Sequence, residues 1–80
     1  MAKDQLEQFI IRGPFIQLDQ LLKATNLCSS GGEAHAAVEA GAVKVDGVVE
    51  LRKRAKLLGG EVVDFQGVRV LLVADPAGVA

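Results

Sequence analysis

The residues able to do chemistry here are cations, crowded into one short stretch. In VKVDGVVELRKRAK, residues 43–56, Lys44, Arg52, Lys53, Arg54 and Lys56 stand against Asp46 and Glu50, a local charge of +3. The rest of the chain carries Lys3, Arg12, Lys23 and Arg69 against eight acidic residues, or −4. Ammonium and guanidinium groups at that density neutralise phosphates and release counterions, and Arg can hold a phosphate through two N–H groups at once. The competing reading is a solvated face, since charged surface is ordinary. Concentration of the cations in an otherwise acidic chain favours a polyanion-binding patch.

A second candidate is Ser30-Gly31. It opens a helix, where unpaired backbone N–H groups and the dipole favour a phosphate and glycine lets one approach. The plain alternative is a capped helix start with Glu33 already using the site. Catalysis finds little support. Cys28 is the only cysteine and His35 the only histidine, which leaves no cysteine-rich metal site and no disulfide. A catalytic thiol would need a base, and His35 seven residues away is thin support. His35 and Glu39, one turn apart, read as solvated. Ser29 and Ser30 lack a nucleophile elbow, and Gly59-Gly60 lacks the Lys-Ser/Thr that follows a phosphate loop. The expectation is a non-enzyme with no cofactor, no metal and no small-molecule substrate.

Composition sets the frame for these residues. Eighty residues, half of them hydrophobic and 24% charged, make one domain over 1–80 with a single modest core. Three phenylalanines are the only aromatics, so a sheet on which several bases stack is not expected. Net charge −1 and a pI near 5.7 lack the overall basicity usual in nucleic-acid binders. A local patch nevertheless makes a local field. No signal segment and no apolar run of membrane-spanning length is visible, so the cytoplasm, with no membrane partner, is the expected setting.

The elements that must position the cations follow from spacing. Residues 7–12 read as a short flanking strand ended by Gly13-Pro14, with helix as the competing reading. Leu18, Leu21 and Leu22 fall on one face of a first helix over 17–25, with Asp19 in its first turn and Asn26 as a left-handed cap. Ser30-Gly31-Gly32-Glu33 has the spacing of a capping box, and Ala34, Ala37, Val38 and Gly41 carry the second helix to its end. Asp46-Gly47 between two apolar runs marks a tight hairpin. If Val43 and Val45 face inward, Lys44 faces solvent. A strand from Glu61 to Phe65, a turn at Gln66-Gly67 and a strand at 68–73 follow, and the tail, 75–80, is expected to fray. The order reads as α+β.

Leu18-Asp19, Ser30, Ala34, Gly41-Ala42-Val43-Lys44-Val45-Asp46-Gly47 and Gly60-Glu61 together resemble the S-four domain, the small module of the ribosomal small-subunit protein type also called the alpha-L motif. The spacing fits without a gap from Ser30 to Glu61, and the resemblance covers about residues 17–65. It is nearest to short stand-alone bacterial members of the YbcJ-like kind, which add a flanking strand. Gln17 and Gly31 stand where the family carries arginines, and Arg52-Lys53-Arg54 stands where it has one basic residue and a proline. Positive charge has moved rather than vanished. The resemblance implies two packed helices followed by a β-hairpin and further short strands. It also implies binding of structured RNA, ribosomal or transfer RNA-like, by shape and phosphate contacts. The expected RNA-binding set is Lys44, Arg52, Lys53, Arg54 and Lys56, with Ser30, Gly31 and the turn residue Asp46. The alternative is a protein-interaction adaptor using the same patch or a sheet edge.

Overall fold

The structure is a computed structural model that describes residues 5–76. Among the described residues, seven strands and two helices follow in the order β1 (Gln5–Ile10), β2 (Ile16–Gln17), α1 (Leu18–Ala24), α2 (Gly31–Glu39), β3 (Val43–Val45), β4 (Val48–Val49), β5 (Lys56–Leu57), β6 (Val62–Phe65) and β7 (Val68–Val73). One sheet has the order β1-β7-β6-β3-β4, and β2 pairs with β5 in a second, two-stranded sheet. The flanking strand β1 runs parallel to β7, so the first and last strands described lie side by side. All other pairings are antiparallel.

The leucine spacing that predicts α1 also explains its packing, since Leu18, Leu21 and Leu22 are all fully buried. Thr25 Oγ1 donates to the Leu21 carbonyl oxygen, and Asn26 takes the left-handed conformation at φ 63° that ends the helix. In α2, Ala34 and Val38 are buried and their small side chains let the helices pack closely. Gly41 stops α2 at φ 78°: its N–H reaches the Val38 carbonyl oxygen and the Ala42 N–H reaches that of Ala37, a Schellman closure. The helical side chains meet Val43, Val63, Phe65, Val70 and Leu72, which alternate along β3, β6 and β7, so both helices cover one face of the sheet.

Two tight turns set the register. Asp46 and Gly47 have φ 53° and 84°, and Gln66 and Gly67 have 54° and 83°, the double positive φ of a type I′ hairpin. Asp46 does more than tolerate the turn. Its Oδ1 accepts the Val62 N–H at 3.0 Å, while its own N–H donates to the Val62 carbonyl oxygen at 2.8 Å, fastening the turn to the start of β6. Asp75, placed at the start of the expected frayed tail, is anchored by the Gly13 N–H, which donates to its carboxylate at 3.0 Å. The remainder of that tail, 77–80, lies outside the described residues. The β2–β5 pair, Ile16 opposite Leu57 and Gln17 opposite Lys56, has no forerunner in the sequence reading. Two residues are too few for any hydrophobic period to register.

Candidate nucleic-acid interface

The basic loop is held by the helix it covers. Running from β4 to β5, residues 50–55 lay two carbonyl groups on the first turn of α1. The Leu18 N–H donates to the Ala55 carbonyl oxygen and the Asp19 N–H to that of Lys53, both at 2.9 Å. Those N–H groups have no partner inside the helix, so the loop serves as its N-terminal cap. Ala55 and Leu57 are buried and anchor the loop to the core between exposed cations. Backbone position along the loop is therefore set by these hydrogen bonds and by burial, before any contact of its arginine and lysine side chains is considered.

The cations differ in their engagement. Arg52 makes a two-point pair with Glu50, Nε to Oε2 at 2.9 Å and Nη2 to Oε1 at 3.2 Å, and its backbone N–H also donates to Oε2 at 3.0 Å. These bonds hold the Glu50 carboxyl below the usual glutamate range and push the Arg52 guanidinium higher still. Lys53 reaches Glu39 at the end of α2, 3.4 Å away. Arg54 is exposed, and Lys56 holds its ammonium 4.9 Å from the centroid of the Phe15 ring. Arg52, Arg54, Ala55 and Lys56 line an open groove of about 450 Å³.

The remaining candidates lie elsewhere. Val43 is buried against the helices while Lys44 is exposed, which puts Lys44 on the helix-free face of the sheet, in register with Asp64 of β6. Ser30 and Gly31 open α2 at the end away from Glu39 and Lys53. At ~1.5 Å per residue that is roughly 13 Å along the helix. The capping box there is shifted by one residue. Ser30 Oγ accepts the Glu33 N–H at 3.1 Å as expected, but Glu33 Oε1 accepts from the N–H and hydroxyl of Ser29, at 2.6 and 2.7 Å. Those bonds hold the Glu33 carboxyl below its ordinary value. A carboxylate thus already stands at this helix start. Asp46, engaged with Val62, has a structural task. The structure thus gathers Arg52, Arg54 and Lys56 at one groove, turns Lys53 of the same loop to Glu39, and leaves Lys44, Ser30, Gly31 and Asp46 outside that group.

A lysine lies beside each of the two positions, Gln17 and Gly31, where the resemblance leads one to expect arginine. Gln17 pairs directly with Lys56 across β2 and β5. At Gly31, a side-chain carbon would meet the Lys23 Cδ at 4.0 Å, so the stem of a lysine from the last turn of α1 lies alongside. Lys23 reads in the sequence only as a favourable charge at a helix end, because nothing local pairs it with a residue in the next helix. His35 is the other departure from expectation. It is not solvated but half-buried, with Nε2 2.9 Å from Asp19 Oδ2. Cys28 is buried, and burial together with the Glu33 carboxylate pushes its thiol up, away from the reactive thiolate. Among the described residues, no three His, Cys, Asp or Glu side chains gather as a metal ion would require. Nor is any helix among them long and apolar enough to cross a membrane.

Comparison with known proteins agrees with this architecture. The S4 domain family matches residues 9–73. YbcJ of Escherichia coli (strain K12) and YbcJ of Shigella flexneri are each 46% identical over 61 residues, covering 76% of this chain and 87% of theirs. A tyrosine–tRNA ligase of Ralstonia nicotianae is 39% identical over 66 residues, which span 82% of this chain but 17% of that enzyme. The solution structure of YbcJ from E. coli, reported to reveal an αL motif involved in RNA binding, superimposes with a TM-score of 0.63 at 39% identity and covers 92% of both chains.

Proposed function

The chain belongs to the S4 domain family, and from that premise we propose that it is a non-catalytic module that binds structured RNA in the cytoplasm. The loop of residues 50–55, with Lys56 at the start of β5, is its phosphate-binding edge. The observation that carries this reading is the lock between that loop and α1. Arg52, Lys53, Arg54 and Lys56 project from a backbone already fixed by the Leu18 and Asp19 N–H groups, so little ordering remains when RNA binds. The RNA-binding αL motif reported for the YbcJ structure supports RNA as the ligand, and a relative that is a tRNA ligase favours the transfer RNA kind over the ribosomal. Lys23, beside the start of α2, is added to the candidate set. Asp46 is set aside, because its carboxylate serves Val62 and would repel phosphate.

Binding of a fluorescent structured RNA at two salt concentrations tests the proposal. With roughly three to five phosphates neutralised, the log–log salt slope is about −2 to −4. The Arg52/Lys53/Arg54→Ala variant loses that binding while remaining folded. Salt-insensitive binding, or binding unchanged in the variant, would reject this edge as the anchor.

One observation favours a second reading, a protein adaptor. Edge strand β1 exposes Leu6 and Ile10, at 67% and 52%, on one side of the strand. A protein partner whose capture is lost in Leu6→Lys yet kept in the basic-loop variant would establish that reading instead.

A further inference from the structure

Of the three phenylalanines, Phe65 is in the core and Phe9 packs against it, whereas the half-buried Phe15 does neither. Its place is nevertheless fixed. Phe15 directly precedes Ile16, whose pairing with Leu57 ties this segment to the basic loop. Lys56, one residue before Leu57, lies with its ammonium 4.9 Å from the Phe15 ring centroid and also lines the groove with Arg52 and Arg54. An aromatic ring therefore lies against Lys56, one of the residues that line an open, positively charged groove. The cation over the ring is a weak, exposed interaction, readily exchanged for others. A nucleobase offers the ring a larger partner, and the freed ammonium a phosphate of the same nucleotide. A base within a duplex is already stacked and its faces are covered, so only an unpaired one can take this place.

We infer that Phe15 and Lys56 form a seat for one unpaired nucleobase. The preferred RNA is then a stem interrupted by a single unpaired nucleotide, beside phosphates held by Arg52 and Arg54. This rests on the RNA-binding reading above and adds to it the class of RNA. One ring accommodates one base, which fits a chain with too few aromatics for a multi-base platform.

The test compares two RNA hairpins, identical except that one carries a single unpaired fluorescent adenine analogue in its stem. The wild type binds the interrupted hairpin about tenfold more tightly, with a change in the analogue's emission as it leaves the stem's stack. Phe15→Leu removes that preference, but leaves affinity for the uninterrupted hairpin and its salt slope unchanged. Phe15→Trp, in a chain with no other tryptophan, keeps the preference, and its indole emission is quenched by the interrupted hairpin alone. The tryptophan variant also covers the case in which the leucine variant fails to fold. Equal wild-type affinity for the two hairpins, or a preference that survives Phe15→Leu, overturns the inference while leaving salt-sensitive RNA binding standing. Absence of binding to either hairpin overturns both.

Discussion

The imidazole Nε2 of His35, on α2, lies 2.9 Å from Oδ2 of Asp19, in the first turn of α1, and joins the two helices at the end where the basic loop attaches. The other carboxylate oxygen of Asp19 accepts the Gln20 N–H at 2.8 Å, and the Asp19 N–H is bonded to the Lys53 carbonyl oxygen. One residue thus touches its own helix, the second helix and the loop. Asp19→Asn and His35→Ala are each expected to cost about 1 kcal/mol. In a double-mutant cycle by urea denaturation the pair is non-additive. Strict additivity would show that the contact contributes nothing.

Charge on the loop and charge on the far face of the sheet should separate in salt titrations of RNA binding. Arg54→Ala is expected to weaken binding and make the salt slope shallower by about one unit. Lys44→Ala, on the helix-free face, leaves the slope as it is. Equal effects from the two would mean that RNA wraps the sheet edge and reaches both faces.

The Glu50–Arg52 pair predicts a pH dependence. Its bonds lower the folded-state value of Glu50 below the ordinary 4.5, so the carboxylate binds fewer protons folded than unfolded. The stabilisation is complete above that ordinary value and is lost as pH falls through the lower folded one. The difference in melting temperature between the wild type and Glu50→Gln should therefore be constant near neutrality and shrink below pH 4.5. A difference that grows in acid would contradict the assigned direction.

Gly59 and Gly13 both take positive φ, 123° and 88°, but they differ in their surroundings. A Cβ on Gly59 would sit 2.8 Å from the Ala74 Cβ and backbone nitrogen, whereas one on Gly13 meets nothing within 4 Å. Gly13→Ala is expected to cost about 1 kcal/mol of backbone strain, and Gly59→Ala roughly 2 kcal/mol or more. Chemical denaturation of both variants measures the gap. Equal costs would show that the chain after β7 shifts freely to make room.

Cys28 should behave as a core residue. With 2% of its surface exposed and its thiol pushed up, it is expected to react with a thiol reagent only as fast as the protein opens. Labelling in native buffer and in denaturant compares the two states. Rapid native labelling would indicate a local opening ahead of α2.

Sequence patterns were most informative where structure is local. The i, i+3, i+4 leucines of α1, the Ser30 cap, and the Asp-Gly and Gln-Gly turns each depend on residues within one turn of each other. Both helices and the β6–β7 hairpin were therefore legible from spacing alone. The concentration of cations in residues 43–56 was likewise plain, because charge density is a property of the chain before it folds. What folding decides is which of those charges act together. Side chains alternate along β3, so burying Val43 turns Lys44 to the helix-free face of the sheet, whereas Arg54 and Lys56 line the groove. The two-residue pairing of β2 with β5 brings Lys56 opposite Gln17 and over Phe15. Packing of α1 against α2 sets Lys23 beside Gly31 and His35 against Asp19. Each of these contacts joins residues of different segments, and no periodicity records them, because each exists only once the apolar faces have chosen their partners.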